Sequence, residues 1–251
     1  LVLLGDPQQL EQPQQGAHPD GSDIAALAHL IGGQHTLRPD QGLFLPETWR
    51  LHPALCAFTS ELFYDGRLQP HPGSAQLGLQ GTDGFDGAGH FLHLCAHEGN
   101  QAVAHEEVAA VVELVGRLLR PGATWTDRSG QRQVLGPEQV IAPYNAQVAA
   151  LQRALRGVGV TRVGTVDKFQ GQEAPVVVYS CTSSSPEDAP RGLAFLYDPH
   201  RLNVASSRAQ CAFVMVAAPR LFAPEVRGPE PMRWANGWCR FRELATVVGR
   251  G

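Results

Sequence analysis

Arginine carries almost all the positive charge of this chain and stands beside other groups that could hold a phosphate. Of the 20 lysine and arginine residues, Lys168 is the single lysine. Arg50 follows Trp49 in the segment Thr-Trp-Arg-Leu-His-Pro, and Arg208 follows the segment Asn-Val-Ala-Ser-Ser. A guanidinium group offers a planar fork of donors to phosphate oxygens, and an indole can stack on a base. Either arginine could instead be solvated on the surface, and Trp49 could belong to the core.

Two further segments carry polar groups suited to a nucleotide or to a nucleic-acid strand. Gln9, in Gly-Asp-Pro-Gln-Gln-Leu, could position a water molecule or touch a γ-phosphate, although this segment could also be a simple Asp-Pro turn. In residues 164–173, Glu173 could accept hydrogen bonds from ribose hydroxyls, and Thr165 with nearby backbone amides could bind a strand phosphate. Gly171 and the density of Gln and Glu favour this interpretation over a strand followed by a capped helical turn.

The chain has no P-loop. That motif, Gly-x-x-x-x-Gly-Lys-[Ser/Thr], supplies a lysine that reaches the β- and γ-phosphates of a nucleotide. Lys168 follows Asp167 and not a glycine, so it cannot fill this role. The sequence therefore contains groups that could sense a nucleotide and lacks the motif that grips its phosphates.

Composition excludes several classes of protein. The 251 residues carry a net charge of −4, which argues against a histone-like nucleic-acid binder but leaves room for a local basic groove. Five widely spaced cysteines without Cys-x-x-Cys spacing indicate reduced thiols in a cytoplasmic protein. No apolar stretch reaches the ~18 residues that a membrane span requires. Because the chain begins inside a strand-like apolar run, Leu1 to Leu4, we expect it to be part of a longer protein.

Apolar patterning predicts alternating strands and helices. The predicted strands are 1–4, 42–45, 90–95, 140–142, 163–166, 176–179 and 212–216. The predicted helices are a short one capped by Ser22 or Asp23 and ending at Ile31, then 53–63, 104–119, 147–155, one leading into the strand at 212, and about 231–247. Residues 11–21 and 69–89 are expected to be loops. Strands that are apolar throughout and alternate with helices predict an α/β fold, a parallel sheet with helices on both faces.

Five segments together resemble motifs of superfamily 1 helicases, in the branch that contains the RNA-decay helicases and the flap-processing nuclease-helicases. Residues 5–10 are similar to motif III, and residues 48–53 resemble the family's Tyr-Arg-Met-His-Pro element with Trp for Tyr and Leu for Met. Residues 142–147 are similar to its Thr-Pro-Tyr-x-x-Gln segment. Residues 164–173 resemble motif V, and residues 203–209 resemble motif VI with serine for the usual threonine. Within this branch the chain looks most like bacterial proteins that join a RecB-like nuclease to the helicase.

The resemblance covers almost the whole chain and implies a RecA-like fold of the P-loop NTPase type. It implies the C-terminal part of a first RecA-like domain in residues 1–45 and a second RecA-like helicase domain in residues 46–251. It further implies ATP and Mg²⁺ as cofactors, with most Mg²⁺ ligands outside this chain. The implied partners are single-stranded DNA or RNA, the first RecA-like domain upstream, and a RecB-like nuclease domain.

Carried over position by position, the resemblance implies three groups of site residues. The residues that meet the γ-phosphate are Gln9, Arg50 and Arg208, the last as an arginine finger. The residues that hold adenine and ribose are Trp49, Gly171 and Glu173. The residues near the nucleic-acid backbone are Tyr144, Asn145 and Thr165. Because the chain lacks the P-loop, we expect it to hydrolyse no ATP in isolation.

Two other functions stay open beside the motor domain of an ATP-dependent DNA or RNA helicase. A non-catalytic nucleic-acid-binding or docking module would also lack half of an ATP site, and its strand binding would depend on salt but not on nucleotide. A nuclease is less favoured. Its Asp/Glu-x-Lys site needs a lysine beside carboxylates, and Lys168 lies instead in the segment that resembles motif V.

Overall fold

The computed structural model describes residues 2–10, 19, 24–136, 139–158, 160 and 162–249. In chain order, its strands are β1 (Glu47–Thr48), β2 (Gln69–Pro70), β3 (Gly78–Gln80), β4 (Gly89–Leu94), β5 (Thr124–Thr126), β6 (Arg132–Val134), β7 (Gln139–Ile141), β8 (Arg162–Gly164), β9 (Ala174–Ser180), β10 (Ala209–Ala217) and β11 (Thr246–Val247). Its α-helices are α1 (Ala26–Ile31), α2 (Pro53–Phe63), α3 (His105–Leu118), α4 (Asn145–Leu155), α5 (Gly192–Leu196), α6 (Pro199–Ser206) and α7 (Pro229–Leu244). Four short 3₁₀ helices span Pro72–Gln76, Arg156–Val158, Val166–Phe169 and Pro219–Phe222.

A six-stranded parallel sheet lies at the centre, in the order β11-β4-β10-β9-β7-β8. Side chains alternate between its two faces, as the pleat of a strand requires. On β9, Val177 and Tyr179 join one core cluster, which includes side chains of α2, α6 and α7. Val176 and Val178 join the other, with α3 and α4. Helices therefore cover both faces, which confirms the predicted α/β fold.

Several predicted elements are confirmed closely. Helix α2 spans the predicted residues, with Pro53 in its first turn and the Nδ1 atom of His52 accepting a hydrogen bond from the amide of Ala54 across 3.1 Å. Proline suits this position because the first amides of a helix have no partner inside it. The strands around 90, 140, 176 and 212 and the helices around 104 and 147 lie within a few residues of the predicted bounds.

Two predicted strands are wrong. Residues 2–4 and 42–45 are irregular, and most of their apolar side chains are exposed, with Leu4 at 92% and Leu43 at 80%. A strand needs a neighbour to satisfy its backbone donors and acceptors, and no described strand pairs with either segment. The predicted caps Ser22 and Asp23, with most of the predicted loop over 11–21, lie outside the described residues.

Three other predictions differ from the structure. Residues 69–89 are more than a surface loop, because they contain β2, β3 and the buried side chains of Leu77, Leu79 and Phe85. The strand predicted to reach Val166 ends at Gly164, and Val166 begins a 3₁₀ helix. The final helix ends at Leu244, since the chain then extends into β11 to pair with β4.

A second, antiparallel sheet of the order β3-β5-β6 lies outside the main one. Strands β5 and β6 form a hairpin inserted between α3 and β7. The sequence pattern predicted no element here. In the part of the chain that the structure describes, no helix is long and apolar enough to cross a membrane. None of the five cysteines, all of which lie in the described residues, forms a disulfide bond.

Candidate functional site

Two predicted site residues lie at the amino ends of neighbouring strands. Glu173 immediately precedes β9, and Arg208 immediately precedes β10. The strands pair in parallel with Ala174 opposite Ala209. The amide of Ala174 also donates to the carbonyl oxygen of Arg208 across 3.1 Å. The register of the sheet therefore places Glu173 and Arg208 side by side.

The guanidinium group of Arg208 is buried among fixed acceptors. The residue is 2% exposed. Its Nε donates to the carbonyl of Val204 across 3.1 Å, its Nη1 to the carbonyl of Gln172 across 3.4 Å, and its Nη2 to the Oε1 atom of Gln9 across 3.0 Å. Burial, followed by the nearby charge of Arg50, lowers the pKa of Arg208 to about 10. Arg208 is thus a preorganised cation without a carboxylate partner of its own in the described residues.

Arg50 lies next to Arg208 and is bound to Glu173. Its Nε donates to Glu173 Oε2 across 2.7 Å, and its Nη1 donates to the carbonyl of Ser207 across 3.2 Å. The amide of His52 donates to the carbonyl of Gln210 across 3.1 Å, so the segment that carries Arg50 is fixed to the start of β10. Glu173 also accepts a hydrogen bond from the side chain of Gln210 across 3.0 Å.

Gln9 belongs to a polar cluster that ties residues 5–10 to the rest of the chain. The side chain of Asp6 accepts from Gln9 Nε2 across 2.8 Å and from the hydroxyl of Tyr64 across 2.6 Å. The side chain of Asn203, in α6, donates to the carbonyl of Gln8 across 2.8 Å and to the Tyr64 hydroxyl across 3.1 Å. Burial and the charge of Asp6 raise the pKa of Tyr64. This cluster holds Gln9 against Arg208.

Arg50 lines two cavities. One, of about 590 Å³, is otherwise mostly apolar and also includes Asp6 and Gln9. The other, of about 650 Å³, includes Trp49 and Glu173. Gln9 therefore lines one cavity and Trp49 and Glu173 line the other, with Arg50 common to both, while Arg208 lies behind Gln9 and lines neither.

Trp49 is a surface residue and not part of the core. It is 53% exposed, and its indole stacks on the ring of His71, with centroids 3.7 Å apart and an interplanar angle of 23°. The Nδ1 atom of His71 accepts a hydrogen bond from the amide of Gly73 across 3.0 Å, which fixes the orientation of the imidazole. The indole is thus supported by a fixed imidazole and remains half-exposed.

Two glycines in the segment 164–173 have positions that a side chain would disturb. Gly171 has a φ of 80°, in the left-handed region that favours glycine. A Cβ atom on Gly164 would lie 2.7 Å from the Cδ atom of Lys168 and 3.2 Å from the ring of Phe169. A side chain at residue 164 would therefore have to displace the Lys168 side chain and crowd the ring of Phe169.

The residues predicted to contact nucleic acid lie at the opposite, carboxyl edge of the sheet. Thr165 follows β8 directly, Asn145 begins α4, and the end of β7 pairs with the end of β8. Asn145 is exposed and Thr165 is half-buried, but Tyr144 is 7% exposed. The tyrosine ring packs against Phe195, with centroids 5.7 Å apart. Of the three, Asn145 and Thr165 are accessible to a ligand.

Two groups of residues at these edges were not singled out from the sequence. At the carboxyl edge, the guanidinium groups of Arg191 and Arg201 lie 3.8 Å and 4.2 Å from the ring centre of Phe195. At the second cavity, the hairpin contributes lining residues, namely Trp125, Asp127, Arg128 and Ser129. A dense run of Arg and aromatic residues in 191–201 was the available signal for the first group. The second depends on how the hairpin packs.

Comparison with known proteins identifies the family. Residues 28–220 match the family described as an AAA domain. The chain belongs to this family. It is 30% identical over 199 residues to "Regulator of nonsense transcripts 1 homolog" of Arabidopsis thaliana, covering 70% of this chain and 14% of that protein. It is 28% identical over 230 residues to "Helicase sen1" of Schizosaccharomyces pombe, covering 86% of this chain and 13% of that protein.

A solved C-terminal domain of a possible DNA helicase from Lactobacillus overlaps 80% of this chain, with a TM-score of 0.41 and 14% identity. The family match and the two curated relatives confirm the resemblance to superfamily 1 helicases of the Upf type. The RecB-like affiliation stays a prediction. The AAA-domain chain spans only 13% and 14% of the length of those two relatives.

Proposed function

We propose that this chain is the C-terminal motor domain of an ATP-dependent helicase that acts on DNA or RNA. In this proposal, residues 46–251 are the second RecA-like domain and residues 1–45 are the tail of the first. The P-loop that holds the phosphates of ATP lies in the rest of the first domain, upstream of this chain. The observation that carries the proposal is the position of Arg208, buried beside Arg50 and hydrogen-bonded to Gln9, both of which line the 590 Å³ cavity.

The charges at this place suit a bound phosphate group. Two guanidinium groups lie close enough for Arg50 to lower the pKa of Arg208, and only Arg50 has a carboxylate partner, Glu173. An anion in the cavity would relieve the repulsion between the two cations and accept hydrogen bonds from both. Burial increases the strength of such contacts, because little water competes for the donors.

The same residues do not form a complete metal site. Among the described residues, no group of three His, Cys, Asp or Glu side chains could hold a metal ion. In this proposal most of the Mg²⁺ ligands lie outside this chain. The ion would neutralise charge on the phosphates, and the residues of this chain would act by binding, orienting and stabilising charge.

The proposal assigns a role to each residue of the nucleotide site. Arg208 acts as the arginine finger, which stabilises negative charge on the phosphoryl group during transfer. Gln9 orients Arg208 through the 3.0 Å hydrogen bond and can also touch the γ-phosphate or its attacking water. Arg50 binds the phosphates beside it. Trp49 stacks on adenine, and Glu173 accepts hydrogen bonds from ribose. Gly171 allows the left-handed backbone turn two residues before Glu173.

Nucleic-acid binding belongs to the other edge of the sheet. Thr165 and Asn145 offer small polar groups to a strand backbone, and Tyr144, next to Asn145 in the chain, packs against Phe195 at the same edge. The nucleotide site lies at the amino ends of β9 and β10, opposite the strand-binding edge of the same sheet. Closure of the two RecA-like domains on ATP can therefore move the strand-binding edge relative to the first domain. Relatives that are named as helicases support the proposal that the intact protein is a helicase. A RecB-like nuclease domain upstream and a cytoplasmic location complete the proposal.

The proposal is tested by comparing phosphate release from the 251-residue chain and from the intact protein. With single-stranded DNA or RNA and Mg²⁺ present, we expect hydrolysis by the intact protein and none above background by the chain, because the chain has no P-loop. Turnover by the pure chain at the rate of the intact protein would contradict the proposal. Salt-dependent strand binding by an intact protein that neither binds nor hydrolyses ATP would favour a docking module instead.

A further inference from the structure

We infer that the β5–β6 hairpin forms a wall of the nucleotide site and that Arg128, at its tip, clamps the nucleobase against Trp49. This inference rests on the proposed function and goes beyond it, because no motif of the sequence includes the hairpin. It assigns a binding role to Arg128, with an adenine-type base as the ligand.

The second cavity has walls from two separate parts of the chain. Trp49, Arg50 and Glu173 come from segments that flank the main sheet, whereas Trp125 and Arg128 come from the hairpin. The hairpin therefore forms one wall of this cavity, which has a volume of about 650 Å³. A ligand that stacks on Trp49 must also lie against the hairpin.

Arg128 is already engaged with Trp49. Its guanidinium carbon lies 5.5 Å from the centre of the indole ring, and its Nη1 donates to the carbonyl of Trp49 across 3.5 Å. A base held between two parallel planes needs them roughly 7 Å apart, twice the ordinary van der Waals separation. Arg128 is exposed and has a long, flexible side chain. Its guanidinium group can therefore move outward from 5.5 Å to roughly 7 Å from the indole and stack on the other side of the base.

Local structure holds the tip of the hairpin in one conformation. One carboxylate oxygen of Asp127 accepts hydrogen bonds from the amide and hydroxyl of Ser129 across 2.8 Å and 2.6 Å, and from the amide of Gln131 across 3.1 Å. Gly130 has a φ of 79°, and its amide donates to the carbonyl of Asp127 across 2.9 Å. The chain thus reverses in a four-residue turn that ends in a left-handed glycine, as in common hairpin connections. The backbone of Arg128 is therefore fixed before any ligand binds.

The charges of the cavity indicate a nucleoside and not a phosphate group. Its carboxylates belong to Glu47, Asp127 and Glu173, and its guanidinium groups belong to Arg50 and Arg128. Three acids against two arginines repel an anion but offer acceptors to ribose hydroxyls and to an exocyclic amine. Two indoles supply flat apolar surface. The phosphates would instead extend past Arg50 into the other cavity, towards Gln9, which accepts a hydrogen bond from Arg208.

The test measures ADP affinity in the intact protein for Arg128→Ala, with Arg132→Ala as the matched control. Arg132 lies on the same hairpin and is exposed, contacts the side chain of Gln80, and does not line the cavity. Because a desolvated contact between a cation and an aromatic plane contributes up to about a thirtyfold change in binding, we expect Arg128→Ala to raise the Kd for ADP about three- to thirtyfold. Arg132→Ala should leave it within twofold of the unaltered protein.

Two comparisons distinguish a clamp on the base from a contact with the phosphates and from a simple effect of charge. Arg128→Ala should leave the inhibition of ATPase activity by inorganic tripolyphosphate unchanged, because tripolyphosphate has no base. Arg128→Lys keeps the charge but loses the planar group, and should bind ADP nearly as weakly as Arg128→Ala. Wild-type ADP affinity in Arg128→Ala or Arg128→Lys, or an equal loss for tripolyphosphate, would overturn the clamp alone. Failure of the unaltered intact protein to bind ADP would overturn the proposed function as well.

Discussion

Gln9 and Arg208 are 199 residues apart in the sequence, yet the Nη2 atom of Arg208 donates to the Oε1 atom of Gln9 across 3.0 Å. In the proposed helicase this bond joins the tail of the first RecA-like domain to the arginine finger of the second. Any ligand that draws the guanidinium group towards a phosphate must strain or break it. The bond therefore links the state of the nucleotide to the relative position of the two segments.

Arg50→Ala in the intact protein is expected to impair both nucleotide binding and turnover. The change removes a charge-assisted contact to a phosphate, so the Kd for ATP should rise by about ten- to a hundredfold, with a fall in kcat. Equilibrium binding of a fluorescent ATP analogue and steady-state kinetics measure the two effects. Arg153→Ala is the control, because Arg153 is exposed on α4 and bonds only to its own helix. Equal affinities for ATP in the two variants would refute the role of Arg50.

Thr165→Ala is expected to reduce strand-stimulated ATPase activity more than basal activity. Thr165 lies at the carboxyl edge of the sheet, away from the nucleotide cavities, so its loss should weaken a strand contact and spare ATP binding. Tyr144→Phe should have a smaller effect than Tyr144→Ala, because the ring of Tyr144 supports Phe195. Titration of the ATPase rate with oligonucleotide measures this. Equal losses of basal and stimulated activity in Thr165→Ala would place the residue in the ATP site or the core.

Glu107→Ala is expected to lower the free energy of unfolding by about 3–5 kcal/mol, because it removes one partner of a buried polar network. Glu107 is fully buried and accepts hydrogen bonds from the Ser180 hydroxyl across 2.6 Å and from the Thr182 amide across 2.8 Å, and it pairs with His97 at 3.0 Å. Urea denaturation measures the change. Glu113→Ala, at an exposed position of the same helix, should cost less than about 0.5 kcal/mol. A similar cost in both variants would mean that the network adds nothing.

His90 should make the protein lose stability in mild acid. Its ring lies among Phe58, Phe213 and Phe241, and burial lowers its pKa from 6.5 to about 4. The unfolded chain therefore binds a proton between about pH 6.5 and 4 while the folded chain does not, so stability falls as the pH falls through this window. The full effect is roughly 3 kcal/mol.

Urea denaturation at several pH values tests the role of His90. His90→Phe should flatten the dependence between about pH 4 and 6.5, whereas a change at the exposed His105 should not. An unchanged slope in His90→Phe would assign the acid sensitivity to other groups.

The elements that the sequence predicted best are those with strong local signals. Helix α2 combines a proline in its first turn with apolar side chains at helical spacing, and β9 and β10 are apolar at nearly every position. The hairpin was missed because its strands have three residues each, and β6 is exposed throughout. Three residues are too few for a periodic pattern to be distinguished from a loop.

The site could be predicted as a set of residues but not as an arrangement. The motifs singled out Glu173 and Arg208, but their proximity follows from the pairing of β9 with β10, which no local signal encodes. The burial of Tyr144 likewise depends on Phe195, which reaches it from another part of the chain. Contacts of this kind depend on the order of strands in the sheet, and that order is non-local.

The central claim is that Arg208 acts as an arginine finger on a nucleotide that is also held by a P-loop outside this chain. Arg208→Lys tests it most directly, because lysine keeps the charge without the planar fork of donors. In the intact protein, with saturating strand, we expect kcat to fall by about a thousandfold or more, while the Kd for ATP changes by less than about tenfold. Unaltered circular dichroism would show that the buried position tolerates the change. A folded variant that retains kcat within tenfold of the unaltered protein would contradict the account.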